Sequence, residues 1–396
     1  EFILIDMFLW GSSDNSYRNL SDELTKHLVD KKKENPEIKI TVITDGYNTL
    51  YHSYDEPHFR ELEDSEINVV YTNMDRMRDS NPFYSSFWRV FVSGFGLPKS
   101  YCDNSLISYG GRGTCIRSVL KALNYKVNHR KIVVADSGEK VVSMITSANS
   151  HDGSSAHSNI AFYVEEKIWK DIYNSENSVA EFSNSFIDYD FGNVYETNSS
   201  DVSIQFLTEG KIKENLIEDI DFTIEGDSIE VMMFYLSDRG VINSLIEASA
   251  RGVEIKFILD PNKDAFGSKK NGVPNRPVAS ELVKKGNGKI QVKWYDTHGE
   301  QFHTKMIVIR KNGKTIVYLG SANLTKRNIG DFNLESDLRV VASEDAVFVQ
   351  GIYSYFNRIW FNENGVYTAD YEKYEDNSFL RMLQYRFQEK TGMGTF

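Results

Sequence analysis

The sequence predicts an α/β fold built twice in one chain. Two mixed sheets with helices outside are expected to pack so that one strand from each reaches a shared central cleft. Three observations carry this expectation. Residues 128–159, NHRKIVVADSGEKVVSMITSANSHDGSSAHSN, and residues 301–339, QFHTKMIVIRKNGKTIVYLGSANLTKRNIGDFNLESDLR, share one layout: His-x-Lys, an apolar run, a Gly-containing turn, a second apolar run, then Ser-Ala-Asn. Strand–helix–strand patterns precede both segments. Ile5, Asp45, Val69 and the His129 motif match, in order, Val231, Asp260, Val292 and the His303 motif. A repeat of this length implies whole-domain duplication with a pseudo-twofold arrangement, not a solenoid.

Taken in order, EFILIDMFLW reads as a buried strand. Leu20, Leu24, Leu28 and Val29 then recur at helical spacing through Lys33, with Ser21 as the expected N-cap. IKITVITD (38–45) is a second buried strand, and strand, helix, strand implies a parallel βαβ unit. A helix from Pro57 to Asp64 leads to the strand INVVYT. A long insertion, at about 72–125, separates that strand from His129, where the second half has only a short interval. Such an excursion ahead of a functional strand is a candidate lid or recognition element. Its aromatic stretch from Pro82 to Phe95 reads as an amphipathic helix. Phe87 and Phe91 are expected on its packed face, and a lipid interface is the competing reading.

The first repeat is expected to span 1–185 and a polar linker with an entry strand 186–226. The second repeat, with a closing helix at 347–362, spans 227–396. There DSIEVMMFYL, VEIKFILD and KIQVKWYD are strands, and Val241–Ala250 and Pro277–Lys285 helices. The tail from Asp376 is expected to dock on the second domain, with membrane contact as the alternative.

Net charge is −12, which argues against a broad nucleic-acid surface while leaving room for a local positive pocket. No apolar run reaches the roughly 18 residues that a spanning helix needs. The chain opens without Met inside an apparent core strand, so upstream residues, a signal or membrane anchor among them, are expected. Cys102 and Cys115 are either bridged, in an oxidising compartment, or both free thiols. No metal-ligand spacing occurs, and no cofactor is expected.

Residues two apart on a strand share a face, so His129 with Lys131, and His303 with Lys305, can look into one cavity. The hairpins that follow, the second at Asn312-Gly313, return Ser147 and Asn149, and Ser321 and Asn323, toward them. Imidazole, ammonium, hydroxyl and amide gathered together suit a phosphodiester. One histidine attacks phosphorus and the other moves the proton. The lysines neutralise the phosphoryl oxygens in place of a metal, and the two asparagines donate to them. Setting Val164 against Val340 places Asn159 opposite Glu335. Glu335 is then expected to orient His303, and Asn159 to orient His129 through a neutral hydrogen bond. Ser147, Ser321, Asn159 and Ser154 are candidate substrate contacts. The loop carrying His151, Asp152, Ser154 and His157 reads either as head-group contacts or as a solvated loop.

These paired motifs resemble the signature of the phospholipase D superfamily, HxKxxxxD followed by GSxN, present twice per active site. The first copy fits through His129, Lys131 and Asp136, with Thr146 at the Gly position. The second fits through His303, Lys305 and Gly320-Ser321-Ala322-Asn323, with Arg310 at the Asp position. The resemblance implies two phospholipase D-like α/β/α sandwich domains with the active site at their pseudo-twofold interface. It makes His129 the nucleophile, forming a phosphohistidine, and His303 the acid/base, whereas the expected Glu335–His303 pairing favours His303 as the nucleophile instead. It makes Asp136 a supporting residue, so that Arg310 alters strand support rather than chemistry.

The leading expectation is a phospholipid phosphodiesterase or phosphatidyl transferase, similar to bacterial phospholipase D-like and cardiolipin-synthase-like proteins and working at a membrane surface. The alternatives are a nuclease of the same superfamily and a degenerate phosphate-binding scaffold. Both motifs lie in one chain, so a monomer suffices for a complete site.

Overall fold

A computed structural model of the chain describes residues 1–12, 17–102, 108–109, 112–138, 140–187, 189, 201–265, 268–394 and 396. Residues 190–200 of the expected linker lie outside the described residues. So do 103–107 and 110–111 of the insertion.

The apolar runs read as strands form two mixed sheets. In the first half these are β1 (Phe2–Met7), β2 (Lys39–Asp45), β3 (Asn68–Thr72), β4 (Lys131–Ser137), β5 (Lys140–Thr146) and β6 (Ala161–Val164), in the spatial order β6-β5-β4-β1-β2-β3. In the second half β7 (Ser203–Thr208), β8 (Ser228–Met233), β9 (Glu254–Leu259), β10 (Ile290–Tyr295), β11 (Lys305–Lys311), β12 (Lys314–Gly320), β13 (Ser336–Ser343) and β14 (Thr368–Asp370) run in the order β7-β13-β12-β11-β8-β9-β10-β14. The six inner strands repeat the first sheet, and β7 and β14 are added at its edges. Parallel pairing of β1 with β2 and β2 with β3, and of β8 with β9 and β9 with β10, follows from the helices between them. Val42, Ile43, Val231 and Phe257 are buried, as strands covered on both faces require.

The helices are α1 (Leu20–Glu34), α2 (Pro57–Asp64), α3 (Pro82–Phe91), α4 (Ile116–Ala122), α5 (Trp169–Phe182), α6 (Gly210–Asp221), α7 (Arg239–Ala250), α8 (Asn275–Lys285), the single turn α9 (Lys326–Ile329), α10 (Val347–Trp360) and α11 (Phe379–Thr391). Ser21 does not cap α1 as the sequence suggested. Asn19 is the cap residue, and Ser21 is buried inside the first turn. Its amide and hydroxyl both donate to Asp152 Oδ1, at 3.0 and 2.6 Å. A distant carboxylate thus satisfies a helix-start donor, which local spacing cannot reveal. Helix α6, which the sequence placed in the connecting segment, buries Ile212, Leu216 and Ile220 in the second core. On α11, Tyr385 and Glu389 pack on the second half, where Tyr385 donates to the Ser237 carbonyl at 2.8 Å.

The halves meet face to face. Ile132, Val134, Val141 and Ile145 pack with Leu334, Leu338 and Val340 of the second half. Ile160 and Phe162 pack on the cluster of Met306, Val308 and Val317. Cys102 and Cys115 are joined in a disulfide, with Cα atoms 5.4 Å apart, within the insertion. Among the described residues no helix is long and apolar enough to cross a membrane.

The expected packing of Phe87 and Phe91 is overturned. Helix α3 buries Ser85 and Trp88, while Phe87 is 47% and Phe91 63% exposed. The helix is apolar on two faces, and the indole takes the inner one.

Candidate active site

The two histidine–lysine pairs sit at the starts of β4 and β11, where each strand leaves its sheet toward the other half. A buried aspartate sets each entry. Asp45 accepts from the Asn128 amide at 2.7 Å, and Asp260 from the Phe302 amide at 2.8 Å, one residue before each histidine. Burial raises the Asp45 pKa to about 6 and the Asp260 pKa to about 7, because few cations lie near either carboxylate. The sequence matched these two aspartates in the repeat without giving them a role.

Each lysine Nζ folds back to the carbonyl of its own histidine, at 2.6 Å for Lys131 and 2.9 Å for Lys305. Each also lies 5.3 Å from an aromatic centroid, Phe8 for Lys131 and Phe234 for Lys305. The same rings flank the histidines at 5.0 and 5.2 Å. Phe8 and Phe234 occupy matching repeat positions, three after Ile5 and Val231. The repeat spacing alone marks them as a pair, though an apolar ring carries no chemical signature of a site.

The orienting contacts correct the sequence reading. Glu335 does not hold His303. Its carboxylate accepts from His129 Nδ1, at 2.9 Å to Oε1 and 3.0 Å to Oε2. Asn159 Oδ1 instead contacts His303 Nδ1 at 3.1 Å. The equivalence of Asn159 and Glu335 stands: Ser147 and Ser321 precede matching segments, and each hydroxyl accepts from the Ile160 or Ser336 amide. The reach is across the interface because each histidine strand lies against the other half's loop. Asn128 bridges Leu334 in parallel, and the His129 amide donates to the Leu334 carbonyl at 2.8 Å. The Ser158 amide donates to the Gln301 carbonyl at 3.1 Å. Arg130 braces the crossing, reaching Glu176 and Glu209 at 2.8 Å each, while Glu209 also accepts from the Glu335 amide.

The serines expected to touch substrate stand behind this layer. Ser321 Oγ donates to Glu335 at 2.5 Å, and Ser147 Oγ donates to Asn159 Oδ1 at 3.2 Å. Ser154 Oγ accepts from the Asn149 amide at 3.0 Å, and its carbonyl accepts from Asn159 Nδ2 at 2.9 Å. They position the orienting groups. Asn149 and Asn323 are both buried, and Asn323 Oδ1 has no hydrogen-bond partner among the described residues. Asn328, missed in the sequence, donates to Glu335. The polar loop divides its work: Asp152 anchors α1, and His157 faces His303 with ring centroids 5.7 Å apart.

Both departures from the motif have local explanations. Asp136 accepts from the Phe2 amide at 2.5 Å, tying β4 to the start of β1. Arg310 instead pairs with Glu230 and stacks over Tyr353 at 3.9 Å, outside the histidine–lysine cluster. At the Gly position the halves trade side chains across a strand pair. Gly320 faces Asp337, whose carboxylate accepts from the Ala322 amide at 3.1 Å. Thr146 faces Ala161, and the threonine hydroxyl accepts from the Ala148 amide at 3.0 Å. A Cβ on Gly320 would lie 2.2 Å from the Ser336 carbonyl and 2.3 Å from Asp337. Gly320→Ala is therefore expected to cost roughly 1–3 kcal/mol in chemical denaturation.

Charge in the site is unbalanced. Lys131 and Lys305 are fully buried, and Glu335 is the carboxylate hydrogen-bonded within the cluster. Burial brings the Lys131 pKa down to about 7 against the pull of Glu335, and that of Lys305 well below its ordinary value. Burial takes His129 down to about 4, with Glu335 opposing. His303 is driven well down by burial and then by Lys305, with no carboxylate opposing. Burial works to raise Glu335, but His129 and Lys131 hold it below the usual glutamate value. Burial lifts Asp337 to about 7.

Residues 216–360 match the family of cardiolipin synthase, PLD-like domain. No curated protein matches the chain in sequence. The fold is similar to that of the phosphatidylserine synthase of Haemophilus influenzae Rd KW20, with a TM-score of 0.64 and 10% identity over 99% of this chain and 90% of that one. It is also similar to polyphosphate kinase from Porphyromonas gingivalis, with a TM-score of 0.52 and 15% identity over 99% of this chain and 49% of that one, so the chain spans about half of that protein. Residues 216–360 thus carry a phospholipase D-like family match, and the chain as a whole shares the duplicated fold of the phosphatidylserine synthase.

Proposed function

We propose that the chain cleaves or transfers phosphodiesters of phospholipids through a phosphohistidine on His129. The observation that carries this is the crossed site itself: two histidines and two buried lysines from opposite halves, the lysines' charged forms disfavoured by burial until an anion joins them. A monoanionic diester supplies what is missing.

With Nδ1–H donated to Glu335, His129 Nε2 keeps its lone pair. It attacks phosphorus, and the P–N bond forms as the bond to the leaving oxygen breaks. His303 Nε2 gives that oxygen its proton. His303 then takes a proton from water or an alcohol, whose oxygen displaces His129 and breaks the P–N bond. A carboxylate partner makes His129 the more basic imidazole. A neutral amide leaves the His303 imidazolium the better acid, and a bound phosphate stabilises that imidazolium. Lys131 and Lys305 hold the non-bridging oxygens, and Asn149 and Asn323 donate there. The lysines supply the charge that a metal would otherwise bring.

The lipid reading draws support from the family of the matched segment and from the chain's net charge of −12, which disfavours a nucleic-acid groove. Labelled phosphatidylglycerol and, separately, DNA should be compared with a His129→Ala, His303→Ala double variant. Phosphatidic acid or cardiolipin formed by the parent and lost in the variant is the expected result. Turnover confined to DNA, or of neither substrate, overturns the proposal.

The pKa shifts add a pH signature. Free His129 stays neutral down to about pH 4, and Lys131 loses its proton above about pH 7. The kcat/KM of a soluble nitrophenyl diester, whose leaving group needs little protonation, should therefore fall on the acid side near the first value and on the alkaline side as the two lysines lose their protons, Lys131 at about pH 7. Phosphate binding at pH 8 should take up protons, because an anion raises the lysine pKa; calorimetry in buffers of different ionisation enthalpy reads this.

A further inference from the structure

The insertion between β3 and β4 presents an apolar helix face that no part of the described chain covers. On α3, Phe83, Phe87, Val90 and Phe91 fall at i, i+4, i+7 and i+8, which is one face of a helix. Phe83 is 80% and Val90 73% exposed, and Phe95, just past the helix, 73%. Trp88 and Ser85 hold the opposite face to the protein. Ile116, on the neighbouring α4, is exposed as well. The patch is firmly mounted. Tyr84 donates to the Leu120 carbonyl at 2.6 Å, and Arg117 donates to the Phe95 and Gly96 carbonyls.

Charge says what the patch faces. From Arg76 to Lys126 the sequence holds eight Lys and Arg against two Asp and no Glu, a net of +6. The whole chain carries −12, so the remainder carries −18. A second copy meeting this face about a twofold axis would set two like-charged insertions against each other. Aromatic and aliphatic side chains on an insertion of net positive charge, where Arg78, Arg89, Arg112, Lys121 and Lys126 pair with carboxylates and Arg117 holds backbone carbonyls, instead fit the boundary between anionic head groups and acyl chains. The insertion ends beside the site: Lys126 donates to the Met77 carbonyl at 2.6 Å, three residues before His129.

We infer that the insertion docks the protein on an anionic phospholipid bilayer, with Phe83, Phe87, Val90 and Phe91 entering the interface. This deepens the lipid reading of the site and rests on it for the identity of the substrate.

The test uses the full chain with vesicles of equal parts phosphatidylglycerol and phosphatidylcholine, vesicles of phosphatidylcholine alone, and a Phe87→Glu, Phe91→Glu double variant. Both residues are exposed, so the variant should keep the parental melting midpoint. The parent is expected to cosediment with the anionic vesicles, less so as salt rises, and the variant to lose about ten-fold or more in apparent affinity. Turnover of soluble bis(p-nitrophenyl) phosphate should be unchanged in the variant. Equal vesicle binding by parent and variant, or none by the parent, overturns the docking surface. So does a variant whose only loss is in duplex DNA binding or self-association. A parent that binds anionic vesicles through these residues yet turns over no diester supports the surface while removing the catalytic reading.

Discussion

Replacement of His303 by alanine is expected to strand a phosphoryl group on His129. With a p-nitrophenyl diester the leaving group needs little protonation, so His129 can still attack and release one equivalent of nitrophenolate. Water then lacks its general base, and steady-state turnover should fall by about 10²–10⁴-fold. His129→Ala should show no burst and no label on protein. Mass spectrometry of the quenched His303→Ala variant locates the label. A phosphohistidine at position 129 is the expected result, whereas a burst surviving in His129→Ala with label on His303 reverses the two roles. The assignment rests on the crossing: His129 has the carboxylate and His303 the amide.

Glu335→Gln is the second large expected effect. The carboxylate is fully buried and gathers His129, Ser321 and Asn328. The amide keeps nearly the same shape but removes the charge that favours the developing imidazolium-like nucleophile. It also allows the wrong histidine tautomer. A drop of roughly 10²–10⁴-fold in the burst rate is expected, by analogy with carboxylate-to-amide changes behind catalytic histidines generally. Asn159→Ala should act through His303 instead. It should barely slow the burst from a nitrophenyl ester, and should slow substrates with poor leaving groups, where His303 must donate. If Glu335→Gln spared the burst and slowed only the later step, Glu335 would be serving His303 and the crossed reading would fail.

These contacts also show what the chain's order of residues can reveal. The two His-x-Lys strands, the hairpins behind them and the equivalence of Asn159 with Glu335 were legible, because each follows from spacing within one half. Which histidine each orienting residue serves was not legible. It depends on how the halves dock, and that is written in the Asn128–Leu334 bridge and the Ile145–Leu338 packing, not in local pattern. In the sequence Thr146 is simply a departure at the Gly position. Its reason emerges only from the strand register, where Thr146 meets Ala161 and Gly320 meets Asp337. Asp45 and Asp260 were visible as a matched pair, but their work is done on backbone amides, which sequence does not display. The outward face of α3 escaped for a simpler reason: the segment is apolar on both sides, and periodicity does not say which side has a partner.

The crossed orienters have a consequence for how the protein comes into being. A chain emerging from synthesis completes its first half, His129 included, long before Glu335 exists. Domains fold as they emerge, N-terminal first. Until residue 335 has left the ribosome and the second half has closed against the first, His129 has no carboxylate behind it and His303 no amide. The nascent first half therefore holds only half of the cluster however well it folds. The complete set of histidines, lysines and orienting partners comes together in one step, at docking, so its presence reports that the two halves have assembled.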